Sequence, residues 1–490
     1  MSPPGRPKGE YRSAQREGTP VNPLPDPRFG YDVAVLGAGP AGAAAAVEAA
    51  ALGLRAAIID EHMVAGGHAY RAVPGIAPVR SDQERTDGDK VRAALGAANV
   101  VRYFAHRVRQ IERVEPLWHL RAIGAAGPRT IHAARLIVAT GAQERHLPFA
   151  GWELPGVMGL AAATVMLKAQ RVLPGRNAVV AGVGPLLLLV AKAIVDGGGN
   201  VAAIIDAHPR SAWFASATEL LSRPDLATRG MNWYRALHAR GVPMLNGYAL
   251  REVTGDAPAM HAKAVPVDRD GRVRTDAPIV DYDCDAVCCG FGLMPATDVT
   301  HVLCASHAFD PALGGWHVVV DDDQRCNVAG LYAAGDGAGV VGAAAAPWQG
   351  RIAAMAVARD AGKLGGGEHE ARVRAAKREC VRAARFGGVM TRLANVGDGA
   401  VASLAPDVTV CQCERLTRTT IDAAIAGGCA TMADLQAATR CGTGPCGGRI
   451  CEESAARLIA LATGRSRVDV GQFPVQRALR PIESDAVADG

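Results

Sequence analysis

Tyr31-Asp-Val-Ala-Val-Leu36-Gly37-Ala-Gly39-Pro-Ala-Gly42 is the stretch on which the fold turns. Six mostly apolar residues suited to a buried strand run into three glycines, and an alanine-rich segment continues to about Leu52 with the character of a helix. Each glycine has its own reason. Gly37 serves the tight turn, Gly39 lets the backbone approach a pyrophosphate, and Gly42 lets the helix lie close to the strand. Pro40 and Ala41 fall in the first helical turn, where unpaired N–H groups and the helix dipole favour negative charge. A second strand, Arg55 to Ile59, ends in Asp60-Glu61. That is about 20 residues beyond the glycines, where a carboxylate can accept from ribose hydroxyls. The sequence therefore predicts an α/β nucleotide-binding unit.

Three further strand ends extend this reading. Gly66-Gly67-His68 follows the acidic pair, Ile137-Val-Ala-Thr140-Gly141 reads as a buried strand ending in a turn, and Leu331-Tyr-Ala-Ala-Gly335-Asp336 reads likewise. Together they resemble the FAD-binding elements of the two-dinucleotide-domain flavoproteins. The resemblance implies FAD contacts at Gly37, Gly39, Pro40, Ala41, Gly42, Asp60, Glu61, Gly67, His68, Val108, Thr140, Gly141, Gly335 and Asp336, the last bonding the ribityl or pyrophosphate part. A second strand-turn-helix, Asn177 to Leu187, carries Gly182-Val-Gly184-Pro185, and a following strand ends in Asp206. Leu187 replaces the third glycine and Pro185 removes one N–H. NAD(P), another adenine nucleotide and no ligand at all stay open there.

Composition narrows the function classes. The 490 residues suffice for about three domains of ~150 each. Hydrophobic residues make up 49%, enough for sizeable cores, and the 53 Lys+Arg are interleaved with 48 Asp+Glu, which gives no support to nucleic-acid binding. The most apolar stretch, Ala178 to Val195, is broken by Gly182, Gly184 and Pro185 and carries Lys192, against a membrane span. Residues 1–28 are rich in proline and charge, without a signal-peptide core, and read as a disordered extension. A cytoplasmic location follows from this reading. No CxxC or CxxxxC stands beside the flavin motifs, which argues against a thiol–disulfide enzyme, and Cys284, Cys288 and Cys289 read as small buried thiols.

The C-terminal cysteines carry separate chemistry. Cys411-Gln-Cys413 is followed after 32 residues by Cys446, within Cys441-Gly-Thr-Gly-Pro-Cys446-Gly-Gly-Arg-Ile-Cys451. Four thiolates hold a [2Fe–2S] cluster, and glycine-rich turns expose N–H groups to its sulfurs. Zinc is the rival metal, although CxC with a long gap is less usual for zinc than CxxC pairs. The CxC…CxxxxC spacing matches the small ferredoxin domain of the bacterioferritin-associated type. That match selects Cys411, Cys413, Cys446 and Cys451, leaving Cys429 and Cys441 as spectators.

Ala139-Thr-Gly-Ala-Gln-Glu-Arg145, Leu147-Pro-Phe-Ala-Gly-Trp152-Glu-Leu-Pro-Gly-Val157, the altered second motif and Gly444-Pro-Cys446-Gly-Gly-Arg449-Ile-Cys451 together resemble the A (alpha) subunits of heteromeric amino-acid and opine dehydrogenases, over about residues 29–465. His68 stands where that family often has Gln. The resemblance implies an FAD domain (29–150 and 281–363), an inserted NAD-like domain (151–280), a helical connector (364–405), a [2Fe–2S] domain (406–465) and a tail (466–490). It also implies an electron-handling role beside a flavin-carrying catalytic B subunit, with room for a further small ferredoxin-like subunit. No catalytic residue is assigned: His68 reads as a hydrogen-bond partner more than a base, and Trp348 as packing. Two rival readings are an NAD(P)H-dependent reductase and a non-catalytic iron–sulfur docking protein.

Overall fold

The computed structural model describes residues 30–73 and 83–474. The expected N-terminal extension and the end of the tail lie outside them. The opening stretch folds as a strand, Val33–Leu36, and a helix, Pro40–Ala51. That strand is central in a five-stranded sheet ordered Leu331–Ala333, Leu136–Val138, Val33–Leu36, Ala56–Ile59 and Val100–Tyr103, all parallel. Such a sheet is covered on both faces, which accounts for its continuous apolar runs. The helix Ala346–Asp360 packs on Pro40–Ala51 so closely that a β-carbon on Gly350 would lie 2.0 Å from the Ala41 carbonyl oxygen. Alanines at this contact are what the short separation requires.

The second unit repeats the plan. Its parallel sheet runs Met244–Asn246, Asn200–Asp206, Asn177–Gly182, Ala286–Gly290 and Val157–Gly159. A three-stranded antiparallel sheet, Tyr248–Asp256, Ala259–Pro266 and Val280–Cys284, adjoins it. The expected boundary at 280/281 is therefore corrected. Strand 286–290 pairs with 177–182, Ala178 opposite Ala286, so the second unit continues through Gly290. An apolar strand goes to the sheet that buries it, and Cys288 is fully buried there.

The connector is a long helix, Gly366–Leu393. It is not solvated all round, because Val373, Ala376, Val389 and Leu393 are buried. The C-terminal unit holds a short hairpin, Thr409–Cys411 with Leu416–Thr417, and helices Arg418–Ala426, Met432–Thr439 and Glu452–Thr463. Thr431 and Asp434 close a capping box at the start of the middle helix. The expected tail is corrected at its start: Arg467–Val470 forms a helical turn, and Val470 and Phe473 are buried. Among the described residues no helix is long and apolar enough to cross a membrane.

Candidate functional site

A cavity of about 1880 Å³ runs along the strand ends of the first sheet. Of the fourteen residues implicated by the sequence, all but Gly42 line it. Gly42 lies behind the turn: a β-carbon there would sit 1.8 Å from the Gly37 carbonyl oxygen. At Gly39 the nearest atom to such a carbon is Gly67 Cα, 3.9 Å away. The space in front of Gly39 is thus a cradle that a side chain would fill, which fits a dinucleotide pyrophosphate resting on the N-terminus of Pro40–Ala51.

The acidic pair divides its work. Asp60 Oδ2 accepts from the Ala38 N–H at 2.6 Å, while Oδ1 accepts from the His62 N–H at 2.8 Å and pairs with His62 Nδ1 at 2.9 Å. Burial pushes the Asp60 pKa up, but the bonds from His62 and Ala38 outweigh it and hold the carboxyl below its usual range. Asp60 thereby braces the glycine turn from below. Glu61 stands half-exposed on the cavity wall, with Arg107 at 3.2 Å. Across the cavity the half-buried Asp336 accepts at Oδ1 from the Val341 and Gly342 N–H groups at 3.1 and 2.9 Å, and desolvation raises its pKa. His68 faces the same space, its pKa lowered by burial and then by Arg71. Trp348 packs against the core and carries Arg351 over its ring at 4.7 Å.

The second glycine turn meets the connector at Gly184, while Val183, Pro185 and Leu186 line the large cavity. Ala394, just after the connector helix, would be 3.1 Å from a β-carbon on Gly184. Asp206, at the end of the following strand, is buried and accepts from the His208 N–H at 3.0 Å and from Trp213 Nε1 at 3.2 Å. Burial pushes its pKa up to about 6.

The C-terminal unit gathers its cysteines in two groups. The sulfurs of Cys411, Cys441 and Cys451, all buried, lie within 4.8 Å of one another. Cys413 and Cys446 stand beside one another, next to this trio. The bonds from Cys441 and Cys451 pull the Cys411 thiol pKa far down, while those same contacts raise Cys451. Three buried sulfurs so close together are the soft donor set that an iron–sulfur centre takes. Two of the four ligands chosen by spacing, Cys411 and Cys451, meet in the trio, and the other two meet in the pair. Cys441, set aside by spacing, lies within the trio. Phe473 closes the site, its ring filling the space beside Gly442 and Gly448. No sequence signal marked Phe473, which sits in the stretch read as tail.

Two contacts join the centres. Arg449, between Cys446 and Cys451, donates to the Cys446 carbonyl at 2.8 Å and bonds Asp298 at 2.9 Å, and both Arg449 and Asp298 line the large cavity. Buried Glu453 pairs with Arg457 and Arg467, each at 2.8 Å, and with Arg145 at 3.8 Å. Burial raises the Glu453 pKa, and the three guanidiniums together drive it well below the usual range.

Residues 31–362 match the family described as pyridine nucleotide-disulphide oxidoreductase. This chain belongs to that family. Residues 409–460 further match the BFD-like [2Fe-2S] binding domain. The chain is thus an oxidoreductase whose two parts bind FAD and a [2Fe–2S] cluster. Within the family it is similar to the opine oxidase A subunit of Agrobacterium tumefaciens (strain Ach5), 31% identical, with 92% of this chain and 90% of that protein covered. It is also similar to the hydrogen cyanide synthase subunit HcnB of Pseudomonas protegens, 29% identical over 92% of this chain and 96% of that one. The crystal structure of L-proline dehydrogenase from P. horikoshii shares the fold at a TM-score of 0.69 and 18% identity, covering 93% of this chain and 79% of that one.

Proposed function

We propose that this oxidoreductase is the electron-transferring subunit of a heteromeric amine or amino-acid dehydrogenase, of the opine, hydroxyproline, sarcosine or glycine class. The substrate is oxidised on a partner flavoprotein subunit. FAD accepts an electron pair and a [2Fe–2S] cluster passes electrons singly, so the two together suit a change from hydride-type to one-electron transfer. The carrying observation is the Arg449–Asp298 bridge, which holds the cysteine loop on the wall of the dinucleotide cavity. In this reading Gly39 and the helix start cradle the pyrophosphate, Glu61 takes the ribose, and Asp336 faces the ribityl side. Cys411, Cys413, Cys446 and Cys451 are the four ligands. The partner is a flavin-carrying B subunit, and a further small ferredoxin-like subunit is the second candidate. The names of the matched relatives, the opine oxidase A subunit and the hydrogen cyanide synthase subunit HcnB, support the assembly with other subunits.

The reductase reading needs the second glycine turn to receive a nicotinamide nucleotide. Ala394 against Gly184, and the two donors already on Asp206, speak for a turn that no longer does so. The test is a set of anaerobic stopped-flow traces on the isolated chain, with NADH, NADPH, and glycine, sarcosine, hydroxyproline or an opine. Flavin absorbance should stay unbleached, or fall slowly, with each. Fast bleaching by a nicotinamide makes the chain a reductase, and fast bleaching by an amine gives it a catalytic site of its own. Adding the co-purifying flavoprotein subunit should restore amine-dependent bleaching.

A further inference from the structure

Five thiols surround a centre that needs four. In a two-iron cluster four thiolates serve two irons, two on each. The neighbouring Cys413 and Cys446 supply the two ligands of one iron. For the other iron the fold offers three sulfurs, those of Cys411, Cys441 and Cys451, within 4.8 Å of one another.

Geometry gives Cys441 the same standing as Cys451. Their sulfurs are 3.8 Å apart. Two thiolates on one tetrahedral metal stand about 3.8 Å apart for metal–sulfur bonds of ~2.3 Å. Each is also held from a different direction. Cys441 follows the end of helix Met432–Thr439, where Arg440 is left-handed at φ 65° and the Thr439 hydroxyl accepts from the Cys441 N–H at 3.2 Å. Cys451 occupies the residue before helix Glu452–Thr463. Loss of one side chain therefore leaves the other anchored by its own helix.

We propose that Cys441 is a working ligand, interchangeable with Cys451 on the iron that Cys411 anchors. This rests on the reading of the C-terminal unit as a cluster site. Ligand choice then resides in the fold and not in the CxxxxC spacing alone. Exchange moves the iron toward a different loop without emptying the centre.

The test uses the full chain, purified anaerobically, as wild type, Cys441→Ala, Cys451→Ala and the double variant. Iron and acid-labile sulfide are counted, and spin resonance spectra are taken after reduction. Bound flavin absorbance reports that each variant has folded. Both single variants should keep about two iron and two sulfide per chain. Cys451→Ala should show shifted g-values, and the double variant should hold neither iron nor sulfide. An empty centre in either single variant overturns the proposal, because the residue removed is then obligatory. A double variant that keeps its cluster overturns it as well. Zinc in the wild type, without sulfide, refutes the cluster reading itself. The same variants scored by zinc content then still decide whether the two cysteines exchange.

Discussion

Gly39 and Gly42 are three residues apart, and methyl groups placed on them should fail for unrelated reasons. Gly39 has φ −69° and ψ −176°, an extended conformation open to any residue. Its added carbon would meet only Gly67 Cα, at 3.9 Å. In the apoprotein Gly39→Ala should therefore be nearly neutral: a loss of ~0.5–1 kcal/mol at the helix N-cap is offset by ~0.4–1 kcal/mol from a stiffer unfolded chain. The methyl projects into the pyrophosphate cradle instead. If the displaced phosphate costs the ~1–3 kcal/mol typical of overpacking, the FAD Kd should rise roughly five- to 150-fold. At Gly42 the carbon would lie 1.8 Å from the Gly37 carbonyl oxygen and 3.2 Å from Ala139 Cβ. Backbone cannot rotate aside, so Gly42→Ala should cost at or above the top of that ~1–3 kcal/mol range even without flavin. Fluorescence titration of apoprotein with FAD, paired with thermal unfolding of the same samples, separates the two. Wild-type FAD affinity in Gly39→Ala, or equal destabilisation of both apoproteins, would refute the assignment of the cradle.

The buried ion network gives a second test. Glu453→Gln leaves Arg145, Arg457 and Arg467 around an uncharged group and should destabilise the chain by ~3–5 kcal/mol. Urea unfolding with limited proteolysis should show the C-terminal unit released first, and resistance equal to wild type would contradict it. Glu144 gives a pH signature of the opposite sign to an ion-paired carboxylate. Burial pushes its pKa from 4.5 to about 7, against the Ala161 and Leu160 N–H bonds. The folded chain then holds a proton that the unfolded chain releases, so this residue's contribution to stability falls as pH rises from 4.5 to about 7 and is level above. Glu144→Gln should flatten that arm in melting curves taken between pH 4.5 and 8, and an unchanged slope would dismiss the buried acid as its source.

Legibility in the sequence followed the range of the physics. Gly37 to Gly42 were readable because strand, turn and helix are neighbours in the chain, and Gly141 and Asp336 because each ends a strand of recognisable pattern. The roles of Asp60 and Glu61 were not, since their division depends on where the Ala38 N–H and His62 point. The strand Ala286–Gly290 was visible as a strand, but its partner, Asn177–Gly182, lies about a hundred residues earlier and draws it into the second unit. Spacing arithmetic likewise set Cys441 aside, because counting residues ignores the fold-back after Met432–Thr439 that carries it to Cys411 and Cys451.

The second nucleotide fold illustrates what motif reading measures and what it misses. Leu187 and Pro185 mark a degraded turn, yet the unit around them is densely packed. One continuous core joins Val179, Ala181, Ile205, Leu250 and Met260 of this unit with Val410, Cys411, Ile421 and Leu458 of the C-terminal unit. Trp152 adds a bond from its Nε1 to the Thr409 carbonyl at 2.8 Å, two residues before Cys411. Removing the second unit would thus expose the wall against which the cysteine loop is held. Packing of this kind holds the sheet in place whatever the turn at Leu187 and Pro185 binds. The fold of this unit therefore has a task that its glycine turn does not: it packs the C-terminal unit, cysteine loop included, against the chain that lines the dinucleotide cavity.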